Sequence, residues 1–344
     1  MKRLLPITVL MCLITGLTAC RQEMTTNPES VDVVEEAAQV EIVLEGPIAS
    51  AQAEVSGMAW CGDQLILLPQ YPAMYGEDGT GNVFSISKAQ LEAYLTSEDP
   101  DPIEPALIPF DSAGFTDVIS GFEGFEAIAF NGSEFYITSE TRAGDGMLGY
   151  LVIGSVAGKC ASLELEPETR TAIQPQADLS NMSDETIIIY QYQVHTIYEA
   201  NGVNVNSDPV VHVFDLSLDP VGELSLPNIE YRITDATSVD DDGVFWAINY
   251  FYPGDTKLKP MDDQIALEYG IGTTHQSAEQ VERLVAFQFR EDTVTLAGIA
   301  PIYLALEEES SNWEGIVRFL DGFLLVTDEY PTTRLVFVSN SDME

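Results

Sequence analysis

Basic side chains are scarce in this sequence: 14 Lys and Arg stand against 56 Asp and Glu, for a net charge of −42. Phosphate binding needs clustered cations, so nucleic acid is excluded as a partner and adhesion to anionic lipid headgroups is disfavoured. Histidine occurs three times, as His195, His212 and His275. None has a Ser or Cys partner close by, which leaves no candidate for a nucleophile–histidine mechanism, and each is expected to be structural. The sequence contains no G-x-S-x-G and no H-E-x-x-H. Gly154-Ser155-Val156-Ala157-Gly158-Lys159 is one residue short of a phosphate-binding loop, and Asp240-Asp241-Asp242-Gly243 lacks the spacing and terminal Glu of a calcium loop; both read as turns. After the first twenty residues no apolar run approaches the roughly 20 residues of a spanning helix. Four cysteines complete the short supply.

What is present begins with the amino terminus. Lys2 and Arg3 precede a short apolar stretch, Leu4 to Leu17, and then Leu17-Thr18-Ala19-Cys20. This pattern resembles the bacterial lipobox, which implies cleavage before Cys20 and diacylation of its thiol. Residues 1–19 are then a signal peptide, and residues 20–38, polar and acidic, read as a lipidated flexible tether. Anchoring by acyl chains leaves the body free to be soluble. Arg21 rather than Asp after the cysteine implies, by the same resemblance, an outer-membrane lipoprotein facing the periplasm. Cys61 and Cys160 remain in a compartment that permits disulfides.

From residue 39 to 340 the chain reads as one domain, and 45% hydrophobic content supplies ample core. Short apolar runs broken by Gly, Pro, Asn and Asp indicate an all-β fold, with a single clear helix, Lys88 to Leu95, capped by Ser87. A repeat organises these runs. It is seen in segments opening at Ser56, Glu126, Glu185, Asp235 and Glu314, each closing 14 or 15 residues later on a polar residue: Gln70, Glu140, Glu199, Asn249 and Asp328 or Glu329. Glycine turns divide all but the third. Further strand candidates follow each hairpin, so four strands per unit describe a β-propeller. Five blades are expected, or six if residues 201–233 hide a divergent one; a sandwich is the alternative architecture. The last unit lacks an outer strand, which Gln39–Leu44 is placed to supply, closing the ring and removing exposed edges.

In a propeller, a 14-residue hairpin returns its ends to neighbouring strands at one mouth of the channel. Glu126, Glu140, Glu185, Glu199, Glu314, Asp328 and Glu329 should therefore converge, with Asp235 and Asn249 adding oxygens. Such a set suits a hard cation, and Ca²⁺ is the expected cofactor; capping of strand ends and local ion pairing is the competing role. A salt-adapted host would also acidify the surface without any site. Arg142 and Arg334 follow two of the closing acids and are candidate anchors for an anionic substrate, or partners of the adjacent carboxylates. Residues 251–280 form a long insertion of the kind that lids a site. The turns bearing Cys61 and Cys160 fall on the opposite face in adjacent blades. A disulfide requires Cα atoms within about 7 Å, and a difference in radius would prevent it.

Asn312-Trp313-Glu314-Gly315-Ile316 with Leu324-Leu325-Val326-Thr327-Asp328 resembles the phytase-like family ("esterase-like activity of phytase"), as do Gly124-Phe125-Glu126-Ala127-Ile128 with Ser139-Glu140, and Met182-Ser183-Asp184-Glu185 with Ile197-Tyr198-Glu199. The resemblance implies a propeller and a calcium-dependent hydrolase of phosphate or other esters. Departures are Ala200-Asn201-Gly202 where members often have Arg, and Ser56 in place of an opening Glu. The alternative function is a non-catalytic, calcium-stabilised propeller binding a cell-envelope protein, peptide or glycan. A gluconolactonase-type site is a variant of the first.

Overall fold

The computed structural model describes residues 32–340 except 51, 78–79, 144–145 and 329–331. The signal segment, Cys20, the first part of the expected tether and Glu329 lie outside the described residues. Among those described, no helix is long and apolar enough to cross a membrane.

The fold is all-β, built from antiparallel meanders. The first two are Val55–Cys61, Gln64–Pro69, Gly81–Ser87 and Ala106–Asp111, then Phe122–Asn131, Glu134–Ala143, Gly146–Ala157 and Ser162–Leu165. Their outer strands pair in parallel, Leu163 opposite Phe110, so the two meanders run on as one sheet. The third comprises Asp184–Tyr190, Gln193–Tyr198, Val210–Asp215 and Pro220–Ser225. The fourth comprises Arg232–Ala236, Val244–Phe251, Val281–Phe289 and Val294–Leu296. The fifth has Trp313–Phe319, Gly322–Thr327 and Leu335–Ser339, and its outer strand is Gln39–Ile42, antiparallel to Leu335–Ser339 with Gln39 opposite Val338. That strand is two residues shorter than expected because Leu44 leaves to bridge Ile103. Residues 201–233 supply the last two strands of the third meander and the first residues of the fourth, rather than a sheet of their own.

Five apolar clusters each draw on two meanders. Leu68, Phe110, Phe125 and Phe135 join the first and second; Tyr136, Leu151, Ile187 and Val194 the second and third. Ile197, Val211, Phe245 and Phe287 join the third and fourth, and Ile248, Leu284, Trp313 and Leu325 the fourth and fifth. Leu65, Phe84, Leu324 and Leu335 then join the fifth to the first. Burying such side chains stabilises by about 1.5–3 kcal/mol each, and no single meander has two covered faces of its own.

Local chemistry explains the joints. Ser87 Oγ accepts from Gln90 N (3.3 Å) and Gln90 Oε1 from Ser87 N (3.0 Å), a capping box that starts the helix Lys88–Thr96. The third hairpin, lacking glycine, turns through Gln191 and Tyr192 at φ 49° and 62°. In the fifth, the turn residues are Leu320 and Asp321, one position earlier than the sequence suggests. Gly322 opens the strand, where a Cβ would lie 2.0 Å from Val338 O. Cys61 and Cys160 are disulfide-bonded with Cα atoms 6.1 Å apart, tying the first meander to the second.

Part of the stretch read as tether is built into the structure. Val33–Val34 pairs in parallel with Ile271–Gly272, and Ala37 N donates to Tyr303 O (2.8 Å). Glu36 accepts from Thr274 N (2.7 Å) and Thr274 Oγ1 (2.8 Å) and meets His275 Nδ1 at 2.9 Å. A single carboxylate thus satisfies three donors of the long insertion, which composition alone does not reveal.

Candidate carboxylate site

The five repeats share one irregularity. In each inner strand the pairing register shifts by one residue: at Ser56, at Glu126–Ala127, at Glu185, at Thr234–Asp235 and at Glu314. A β-bulge re-aims the side chain it carries, and here it falls on the residue that opens each repeat. The closing residues occupy matching positions just beyond the bulge. Glu140 pairs with Gly124 and Asn249 with Ile233, while Gln70, Glu199 and Asp328 donate their backbone N–H to Glu54, Ser183 and Asn312. Opening and closing residues are then separated by 14 in every repeat, which makes Asp328 rather than Glu329 the closing acid.

The residue after each bulge is small: Gly57, the Ala127 and Thr186 positions, Ala236 and Gly315. A Cβ on Gly57 would lie 3.0 Å from Glu126 O, and one on Gly315 would lie 2.8 Å from Met58 Cβ. The glycine of the Glu-Gly motif is therefore a close approach of adjacent inner strands. Ser56 Oγ donates to Phe125 O (2.6 Å) and Thr234 Oγ1 to Trp313 O (2.5 Å), linking neighbouring inner strands at the same level. Beneath it, residues of all five inner strands, among them Met58, Ile128, Ile188, Ala236 and Ile316, line a cavity of about 150 Å³.

Glu126, Glu140, Glu185 and Glu199 are all buried, Glu199 fully; Glu314 and Asp328 are half-buried. They sense each other's charge. Burial, then Glu140, Glu314, Glu199 and Asp328, raise the Glu126 pKa well above the usual range. Burial followed by Glu199, Glu314 and Glu126 does the same to Glu185, and burial followed by Asp328 and Glu199 to Glu314. Glu140 is pushed up to about 8, chiefly by burial and Glu199. Among these acids lies a cation that the repeat pattern did not single out. Arg232 Nη1 donates to Glu199 Oε1, and its Nε and Nη2 reach Asp255 Oδ2 at 2.8 Å. Its guanidinium also lowers the pKa of Glu185 and Glu314. Burial raises Glu199 nonetheless, with Arg232 the main opposing influence.

Other expected site residues have different duties. Asn249 is buried, but its Oδ1 accepts from Arg283 Nε (2.8 Å) and its Nδ2 donates to Glu230 O and Arg232 O. It is a strut for Arg283, which in turn clamps Asp263 of the insertion. Asp235 accepts from Ile316 N (2.9 Å), tying the fourth inner strand to the fifth. Arg142 makes two 2.8 Å bonds to Glu123, and Arg334 pairs with Glu307 (2.7 Å), so both meet local acids. Among the histidines, His212 meets Asp184 (3.2 Å), and His195 is buried beside Phe289 with its pKa pushed down to about 4 by that burial.

Glu185 and Glu199 lie within hydrogen-bonding reach of each other, while buried oxygens of Glu140, Asn201 and Glu230 and the hydroxyls of Ser139, Ser183 and Thr186 have no hydrogen-bond partner. They lie in the second and third repeats and in the segment between the third and fourth, where Asn201 and Glu230 stand. Orphan carboxylate oxygens are costly and fit a hard cation. Among the described residues, however, no three acidic, histidine or cysteine groups are already gathered as a metal-binding set. Arg232 also lines an adjoining cleft of about 830 Å³, with Asn312, Asn181, Tyr250 and, from the insertion, Tyr252 and Gln280. The insertion therefore reaches the site, as its length suggested.

No family model and no curated protein matches the chain. Among solved structures it is similar to a glycosyl hydrolase from Bacteroides ovatus, at 11% identity over 92% of this chain and 93% of that one, TM-score 0.44. It is also similar to an α-L-arabinanase from Cellvibrio cellulosa, at 11% over 89% and 92%, TM-score 0.41. A third is a structure from work on the GH130 family of mannoside phosphorylases, at 9% over 92% and 96%, TM-score 0.48. At these levels the likenesses assign this chain no activity.

Proposed function

We propose that the chain is an exported lipoprotein held to the outer membrane through Cys20, in which the five meanders are blades of a propeller closed by Gln39–Ile42. We propose further that its acidic mouth is a phytase-like, calcium-dependent hydrolase of phosphate or other esters. The observation that carries the hydrolase reading is the set of buried, mutually repelling carboxylates Glu126, Glu140, Glu185 and Glu199 beside a cleft large enough for a substrate. These four, with Glu314, would hold Ca²⁺ after side-chain adjustment. Bound there, the ion supplies positive charge that polarises an ester or phosphoryl oxygen. Arg232, paired with Glu199, favours the ionised form that a cation requires there.

The test is a hydrolysis panel of phosphate esters, carboxylic esters and lactones, with calcium and with EDTA. Turnover of one class, lost in EDTA and in Glu185→Gln, is the expected result. Uniform inactivity favours the second reading, a non-catalytic, calcium-stabilised propeller binding an envelope partner. That reading draws on the pairing of Arg142 and Arg334 with Glu123 and Glu307, which leaves neither guanidinium free for an anionic substrate. The anchor is tested separately: Cys20→Ser should move the protein wholly from the membrane fraction to the soluble fraction and abolish palmitate labelling. Labelling that survives the substitution contradicts the assignment.

A further inference from the structure

We infer that the cleft beside the carboxylates binds a neutral, hydroxyl-rich ligand, a segment of glycan, with the ring of Tyr252 as its platform. The inference rests on the reading of this mouth as a ligand site, but neither on hydrolysis nor on calcium. Charge gives the first argument. Among the described residues lining the cleft, Arg232 is the one cation, and its guanidinium is already engaged by Glu199 and Asp255. An anionic ligand would find no free positive group there and would meet the field of a chain with net charge −42. Two acids also line the cleft: Glu279 is partnered by Lys259 at 3.1 Å, which blunts its pull on a cationic ligand, and Glu309 is exposed, where water screens it.

What the walls offer instead is neutral hydrogen bonding. Asn181, Ser277, Gln280, Ser310 and Asn312 present amides and hydroxyls, groups that both donate and accept as sugar hydroxyls do. Tyr252 supplies the apolar surface. It is 52% exposed, so half of its surface is open to a ligand. It is also held: a Cβ on Gly254 would fall 2.2 Å from Tyr252 Cε1, so the ring rests against the glycine backbone and is preorganised. An aromatic ring at the edge of a cleft lined mainly by neutral polar groups suits the C–H faces of a pyranose or furanose, leaving ring hydroxyls for the amides.

The experiment is isothermal titration of the intact domain in EDTA, with malto-, xylo-, manno- and chito-hexaoses as neutral probes. Inositol hexakisphosphate, hexalysine and an uncharged hexapeptide serve as the anionic, cationic and peptide probes. At least one neutral hexaose should bind, with affinity unchanged between low and high salt. Tyr252→Ala should weaken that binding at least tenfold without shifting the melting temperature, and Tyr252→Trp should preserve it. Binding confined to a charged probe or to the peptide, no binding by any hexaose, or indifference to Tyr252→Ala overturns the inference. An inactive hydrolysis panel leaves this titration intact, and a failed titration leaves the panel intact, so the two readings fail separately.

Discussion

Replacing Arg232 by methionine is expected to destabilise the domain by about 3–5 kcal/mol at pH 7.5, the usual cost of leaving one member of a buried ion pair behind. Glu199 is fully buried, and Arg232 is its direct partner. Without the guanidinium, Glu199 faces Glu140, Glu185 and Glu314 with no counter-charge, and Asp255 loses the same partner. Methionine keeps most of the side-chain volume, so the loss reports charge rather than a cavity. Two further variants isolate the cause. Glu199→Gln alone should cost less than Arg232→Met, and the double variant should recover most of the stability. The penalty should also shrink at pH 5, where Glu199 can take up a proton in place of its partner. Urea unfolding in EDTA gives these numbers. A single variant as stable as the parent, or a double variant with no recovery, contradicts the view that this cation neutralises the cluster.

The metal-free protein should also melt at a higher temperature at pH 6.5 than at pH 8. Glu126, Glu185, Glu314 and Asp235 have folded-state pKa values raised well above their ordinary ones, chiefly by burial; Glu140 reaches about 8 and Glu282 about 7. A raised value means that the folded state holds these protons more tightly than the unfolded chain does. The resulting stabilisation is complete below the unfolded pKa and is lost as pH climbs through the folded one. For Glu140 that loss extends to about pH 8, and across the set it amounts to a few kcal/mol, on the order of one pKa unit per 1.4 kcal/mol. Below pH 6.5 an opposing influence enters. His195 and His275 have lowered values, so the unfolded state gains protons there that the folded state refuses. Glu36 works in the same direction: burial opposes its ionisation, but the bonds from His275 and Thr274 hold its carboxyl below the usual range. The raised acids outnumber these groups, and His212, whose value Asp184 raises against the effect of burial, works with them. A scan in EDTA from pH 5 to 8 should therefore show the melting temperature highest towards its acid end and falling towards pH 8. A melting temperature that climbs steadily to pH 8 would mean that the cluster is ionised and solvated.

Much of this was legible because it repeats. A polar residue followed 14 positions later by another recurs five times, and hairpin chemistry lies between. The strands and the convergence of Glu126, Glu140, Glu185 and Glu199 follow from period and turn alone. Bulges were not legible, since one extra residue in a strand leaves the apolar pattern almost unchanged; that is why Asp328 and Glu329 could not be told apart. Arg232 escaped notice because no other repeat has a basic residue at its position, and its partners come from 33 and 23 residues away. Asn249 looked like a ligand by its place in the repeat. Its oxygen belongs to Arg283, which follows the insertion and obeys no repeat. Arg142 and Arg334 fell where the pattern put them, but their partners Glu123 and Glu307 lie outside the motif. The segment at residues 32–38 has the composition of a tether, and what fixes it is backbone pairing at Val33–Val34 and Ala37 together with one carboxylate, Glu36, meeting three donors.

In the proposed function, acids from separate repeats form one cation site rather than a diffuse acidic surface. The direct measurement is a thermal melting series at pH 7.5 in EDTA, CaCl₂, MgCl₂ and NaCl of matched ionic strength, on the parent and on Glu185→Gln. A ligand that binds only the folded form at a hundred times its dissociation constant adds about 2.7 kcal/mol. Calcium should therefore raise the melting temperature by several degrees over matched NaCl, magnesium should do less, and Glu185→Gln should lose most of the calcium increment while keeping its fold. If sodium chloride stabilises as much as calcium, or the variant responds like the parent, these carboxylates are not a site.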